Sequence, residues 1–207
     1  AGASLFALSK GDKPGLRPIA VDDLFRRITG KVCLRPYRLA MASYFQTHFP
    51  HVKQFAVGVR GGAEKLLHTL QLCISQDAHP DDPLCVLTLD TTNAFNSLSR
   101  QILFDVLGGT ATRPYAGGRI QPGVSLQCPP GLTPFLHHLI AYYGAPSTLH
   151  HHGADGHTYF LDSSTGPQQG DVWGTAIFCA SIHPILGAVL EDETLGRHVD
   201  ALCFSDN

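Results

Sequence analysis

Two short apolar runs, Leu84-Cys85-Val86-Leu87-Thr88-Leu89 and the stretch from Val199 to Phe204, each lead into an aspartate, Asp90 and Asp206. Apolar runs of this length, bounded by polar turns, suit buried strands. They set the frame into which the remaining segments must fit. Arg17-Pro18-Ile19-Ala20 is extended in character, and Asp22-Asp23 then offers a cap for a helix through Leu24, Phe25, Ile28 and Val32. Pro36 is expected to end or kink that helix. A second helix is expected through Leu39, Met41, Tyr44 and Phe45 until Pro50 stops it. Gly61-Gly62 precedes an amphipathic pattern with Ala63, Leu66, Leu67 and Leu70 on one side.

After the first apolar run, Ser97 and Ser99 can cap a helix through Ile102, Leu103, Val106 and Leu107, ended by Gly108-Gly109. Residues 108–131 are rich in Gly and Pro and read as an insertion loop. A helix from Pro134 to Tyr143 follows. Strands near Ser147–His151 and His157–Leu161 are joined by the hairpin-like turn Gly153-Ala154-Asp155-Gly156. A long apolar helix runs from about Asp171 to Leu190, before the second apolar run. Helices, then strand, helix, hairpin, helix and strand make an α+β chain, with no internal repeat.

Composition narrows the function classes. At 43% hydrophobic and 15% charged, the chain of 207 residues has the material for a packed core and is neither a disordered tail nor a highly charged surface protein. No apolar run approaches the roughly 20 residues that cross a bilayer. The N-terminus has neither Met nor a basic flank before its apolar stretch and reads as a fragment or processed chain, not a secretory signal. Net charge is -2 with a pI of about 6.7, yet 11 of the 15 Lys and Arg lie within residues 10–65. Cys33, Cys73, Cys85, Cys128, Cys179 and Cys203 form no CxxC pair and read as free thiols of an intracellular, reducing compartment.

The chemistry rests on three segments. The first carries Asp90 at the end of an apolar run, with Thr91 next and Phe95 five residues on. The second, Ser164-Thr165-Gly166-Pro167-Gln168-Gln169-Gly170-Asp171, is a turn of polar amides opening an apolar helix. The third ends in Ser205-Asp206-Asn207. Two carboxylates at neighbouring strand ends can hold hard cations such as Mg²⁺. A pair of such ions about 4 Å apart can activate an attacking hydroxyl and neutralise a leaving pyrophosphate. Taken singly, an aspartate after a strand is as well explained as a turn former; the order and spacing of the three carry the expectation. Other signals are weaker. His150-His151-His152 with His157 spans the expected hairpin in a chain of 12 histidines. Residues 58–65 lack Walker spacing, no Gly-x-Ser-x-Gly elbow occurs, and Trp173 reads as core.

These segments resemble motifs A, B and C of reverse transcriptases, in Leu89–Arg100, Gly166–Asp171 and Phe204–Asn207. Arg17-Pro18-Ile19 with Leu24-Phe25-Arg26-Arg27 is similar to the family's first fingers motif, and Gln54–Glu64 to the next fingers segment of elements lacking long terminal repeats. The resemblance spans nearly the whole chain. It implies helical fingers over residues 1–83 and an α+β palm, an antiparallel sheet on helices, over residues 84–207, stopping after motif C with no thumb. It further implies Asp90 and Asp206 as catalytic metal-binding carboxylates, with the Thr91 carbonyl as a further ligand of Mg²⁺ or Mn²⁺. Phe95 would then exclude a 2′-hydroxyl on the incoming nucleotide, Gln169 and Gly170 would pack on nucleotide and template, and Arg17 and Arg26 would hold triphosphate or template. The implied partners are an RNA template, a DNA primer and deoxynucleoside triphosphates. The chain departs from the family by having Asp206-Asn207 where two aspartates are usual, one negative charge fewer. That departure and the near-neutral charge raise an alternative expectation, a catalytically silent subunit with protein or RNA partners in a larger assembly.

Overall fold

The computed structural model describes residues 3–9, 11, 15–76, 85–108, 133–190 and 201–203. In chain order its elements are β1 (Ala3–Ser9), β2 (Leu16–Asp22), α1 (Leu24–Thr47), β3 (Val52–Gln54), α2 (Gly62–Gln76), α3 (Ala94–Ser97), α4 (Arg100–Leu107), α5 (Thr133–Tyr143), β4 (Ser147–His152), β5 (Thr158–Ser163), α6 (Gly174–Leu190) and β6 (Ala201–Cys203). The class is α+β, as expected.

Four strands form one sheet in the order β2-β1-β4-β5. β1 and β2 pair antiparallel with Ala3 opposite Asp22, and β4 and β5 pair antiparallel with Ser147 opposite Ser163. A short parallel seam, Ala3 opposite Leu149, joins the two hairpins. β3 and β6 form a separate parallel pair. Both sheets therefore join strands from before and after residue 84. The first strand, β1, has no counterpart in the sequence reading, and it adds strand to a region expected to be mainly helical.

The core lies between α1, α4, α5 and α6. Met41 and Tyr44 of α1 meet Leu103 and Leu107 of α4, Phe135 and Leu139 of α5, and Ile177 and Ala180 of α6, with Trp173 among them. α6 is apolar nearly all round because it is enclosed on most sides, as a central helix must be. α1 begins where expected: the Asp23 side chain accepts a hydrogen bond from the Arg26 backbone N–H at 2.9 Å.

Two expectations are corrected. Pro36 does not end α1, and the two helices expected on either side of it are a single helix of 24 residues. Pro36 lies on the solvent side, so the Val32 carbonyl that loses its helical N–H donor can turn to water. The apolar run before Asp90 is not a buried strand. Residues 85–91 carry no strand, and Leu87 and Leu89 are 81% and 80% exposed. A strand exists only where a neighbour supplies its hydrogen bonds, and among the described residues none lies beside this run. The second apolar run does form a strand, β6, and its partner is β3.

α2 forms as expected, although only Gly62 is buried on it and Leu67 is exposed. The expected insertion loop falls almost wholly on residues 109–132, outside the described residues, as do Asp206 and Asn207. Among the described residues no helix is long and apolar enough to cross a membrane.

The exposed run makes a direct contrast testable by urea unfolding. Leu139→Ala, at a fully buried site of α5, should cost about 2–5 kcal/mol. Leu87→Ser should stay within about 0.5 kcal/mol, and a core-sized loss there would restore the buried strand.

Candidate functional site

The turn that precedes α6 meets two other motif-bearing segments, around residues 20 and 95–96. From one side β2 docks on it: the Ala20 N–H donates to the Gln169 carbonyl at 2.8 Å. From the other side comes the segment after Asp90, where the Thr165 hydroxyl donates to the Asn96 carbonyl at 2.8 Å. Glycine is needed at both contacts. Gly166 has φ +57°, and a Cβ there would overlap the Phe95 carbonyl oxygen. Gly170 has φ +104°, and its Cβ would lie 2.6 Å from the Ala20 carbonyl oxygen. The turn is thus clamped between residues 20 and 95–96, which are far apart in sequence.

Side chains anchor the same turn from beneath. Arg100 is buried at the start of α4 and donates from Nε to the Gly166 carbonyl at 3.0 Å, from Nη2 to Ser163 Oγ at 2.9 Å and from Nη1 to the Ala145 carbonyl at 3.3 Å. Burial lowers its pKa from the ordinary arginine value. Gln168 is buried and donates to Ser147 Oγ at 2.8 Å.

Asp171 closes the turn and is the centre of its electrostatics. Its Oδ2 accepts from the Tyr143 hydroxyl and from Arg26 Nη2, the latter at 3.0 Å, while Oδ1 accepts from the Trp173 N–H at 3.1 Å. Arg26 Nε also lies 3.3 Å from Asp22 Oδ2. That contact is ionic, because neither Asp22 carboxylate oxygen accepts a hydrogen bond. The guanidinium sits over the rings of Tyr142 and Tyr143, at 4.7 and 5.4 Å from their centroids. Burial works to lower the Arg26 pKa, but Asp171, Tyr143 and Asp22 outweigh it and hold it above its ordinary value. Burial, then Asp171, raise the Tyr143 hydroxyl well above its usual range. One cation facing two carboxylates leaves a charge uncompensated, and it shows at Asp22. Burial first, and Asp171 second, push that carboxyl up to about 6.

The predicted site residues divide accordingly. Gln169 and Gly170 stand on the clamped turn. Phe95 is buried against it and stacked on Phe178, with ring centroids 5.0 Å apart. Arg26 is consumed by the internal ion pairs, so its side chain positions the turn and faces no solvent. Arg17 is exposed on β2, and Asp90 and Thr91 are exposed before α3. Asp206 lies outside the described residues. Among those that are described, no three His, Cys, Asp or Glu side chains gather to hold a metal ion, and Asp90 is the only described member of the expected pair. The hairpin histidines have separate partners: His150 contacts Phe160, His151 Nδ1 lies 3.0 Å from the Leu5 carbonyl, and His152 Nδ1 lies 3.0 Å from Thr158 Oγ1.

Sequence reasoning missed Asp22, Arg100, Tyr143 and Asp171 as a connected group. The available signal was the pair Asp22 and Arg26, four residues apart at a helix start, but nothing in the sequence places Asp171 beside them.

No protein-family model matches the sequence, and no curated protein matches it. Among solved structures the chain is similar to apo telomerase from Candida tropicalis truncated from its C-terminal domain, with a TM-score of 0.49 at 11% identity, over 93% of this chain and 40% of that one. It is also similar to telomerase from Candida albicans in complex with the TWJ fragment of telomeric RNA, with a TM-score of 0.47 at 12% identity, over 90% of this chain and 34% of that one. The chain thus spans well under half of either telomerase chain.

The cluster has a pH signature. In the unfolded chain Asp22 titrates near its ordinary value of 3.8, and in the folded protein near about 6. Between these values the folded state binds more protons, so the Asp22 contribution to stability falls as pH rises through the window. His138 and His183, whose pKa values burial lowers, act in the opposite sense, so the readout is the difference from Asp22→Asn. Lowering pH from about 7 to about 4 should favour the wild type over that variant by up to about 1.4 kcal/mol per pH unit. Arg26→Met should cost about 3–5 kcal/mol in urea unfolding at neutral pH, because it leaves two buried carboxylates without a cation.

Proposed function

We propose that this chain is the fingers and palm part of an RNA-directed DNA polymerase, of the reverse-transcriptase type found in elements lacking long terminal repeats. The observation that supports the reading is the clamp itself. Segments similar to two separate motifs of that family, around residues 17–20 and 95–96, each touch a segment similar to a third, residues 165–171. Chance likeness in one segment would not require the other two to lie against it.

On this reading Asp90 and Asp206, with the Thr91 carbonyl, are the ligands of Mg²⁺ or Mn²⁺. The metal would supply the charge that activates a primer 3′-hydroxyl and neutralises pyrophosphate. Arg17, exposed and without an ion pair among the described residues, is left to meet triphosphate or template. Gln169 and Gly170 shape the floor beneath the nucleotide, and Phe95 supports that floor from the core. The substrates are an RNA template, a DNA primer and deoxynucleoside triphosphates.

A second reading is favoured by the exposed, unpaired segment 85–91 and by the burial of Phe95 and Arg26. There the chain keeps the polymerase architecture as a silent subunit of an RNA-containing assembly.

Primer extension separates the two. The purified chain, given an RNA template annealed to a DNA primer with Mg²⁺ or Mn²⁺, should add deoxynucleotides. Asp90→Ala should lower the rate about a thousandfold, the equivalent of about 4 kcal/mol for one lost charge contact with the ion. Absent extension with either metal, while the RNA is still bound, would select the silent subunit.

A further inference from the structure

α1 buries one face and leaves two stripes in water. Inward lie Arg26, Gly30, Met41, Tyr44 and Phe45. Along the outer side run Phe25, Ile28, Val32 and Leu39, all at least half exposed, with Phe25 at 81% and Leu39 at 82%. Beside them run Arg27, Lys31, Arg35 and Arg38, all exposed. The helix contains no acidic residue, and the ion pairs among the described residues belong to Arg26 alone.

The spacing of the apolar stripe is specific. Phe25, Ile28, Val32, Arg35 and Leu39 fall at alternating steps of three and four residues, the register of one strand of a coiled coil, with Arg35 at a single core position. At about 1.5 Å per residue the seam is about 21 Å long. Arg27, Lys31 and Arg38 line the seam's flank, on the positions that choose a partner by charge, and Arg35 adds a fourth cation within the seam. A lone apolar side chain on a surface needs no explanation, but a continuous seam of them marks a protein interface.

We infer that this face of α1 docks an amphipathic helix of a partner protein, one with an apolar seam and an acidic flank. Charge selects that occupant. A second copy of this chain would set four cations against four cations. A nucleic-acid strand would satisfy the cations but leave Phe25, Ile28, Val32 and Leu39 in contact with phosphate and water. An acidic amphipathic helix answers both stripes at once, and a carboxylate facing Arg35 would fix its register. The inference stands whichever reading of the polymerase-like site holds.

The test uses the purified chain and a fluorescent synthetic peptide of about three heptads, with Leu on the seam and Glu on the flanks. A matching peptide carries Lys in place of Glu. The Glu peptide should bind and the Lys peptide should not. Leu39→Ser and Val32→Ser should each weaken Glu-peptide binding about tenfold or more. The double variant Lys31→Glu with Arg35→Glu should lose the Glu peptide and gain the Lys peptide. Since all four positions are exposed, the variants should unfold at the wild-type urea midpoint. The inference is overturned if neither peptide binds, or if binding ignores these substitutions. It is overturned equally if oligo(U) RNA or phosphatidylserine vesicles bind through the basic residues with Leu39→Ser and Val32→Ser unaffected. Two further results would also sink it: a dimer of this chain that Leu39→Ser dissolves, or a Val32→Cys thiol shielded from a soluble maleimide in the isolated chain.

Discussion

Arg26 leaves the first turn of α1 and enters the interior, where it meets Asp171 at the end of a turn and Asp22 at the end of a strand. Few arrangements satisfy a buried guanidinium, and this one fixes three elements together: β2, α1 and the entry to α6. Such a pair adds little net stability, because desolvating three charged groups offsets most of their attraction. Its effect is on geometry. Any other packing of α1 against α6 would strand a cation or a carboxylate in the core, at several kcal/mol each by general experience. Tyr143 extends the constraint to α5 by placing its hydroxyl on the same carboxylate oxygen.

Once Asp171 is held, the turn before it has little freedom. Arg100 grips the Gly166 carbonyl from below, Ser147 receives Gln168, and the two glycines let backbone approach backbone on either side. The sheet is tied in by the same contacts, since Ala20 belongs to β2, and Ser147 and Ser163 begin and end the β4–β5 hairpin. The junction of sheet, turn and helices is therefore closely bound together, whereas residues 85–91, Asp90 among them, are exposed.

Much of this was legible in the sequence because helices and hairpins write local signals. Asp23 as a cap, the apolar length of α6, the Gly153–Gly156 turn and the α+β order all follow from spacing and turn chemistry. What failed did so for physical reasons. The run before Asp90 has strand composition, but composition cannot report whether another strand is available to pair with it. Pro36 removes a helical donor, yet on a solvent-facing side of a helix packed along its other face that loss is tolerable. Beyond these, only the fold shows that Arg26 has two carboxylates beside it. β1 was missed because Ala3–Ser9 is a short apolar stretch with no flanking strand signal, and its place depends on partners on both sides.

This division bears on what the motif likeness means. Gly166, Gln168, Gly170 and Asp171 each have a packing or hydrogen-bonding task that would hold them in place with no nucleotide present. Their likeness to a polymerase turn is thus informative about architecture and indifferent to catalysis. Arg17, Asp90 and Thr91 are different. They are exposed, and no ion pair among the described residues engages Arg17 or Asp90. A side chain that supports nothing in the fold is free to be whatever chemistry requires, so the proposed activity is tested at those three and at Asp206. The clamped turn holds sheet and helices together whether or not they act.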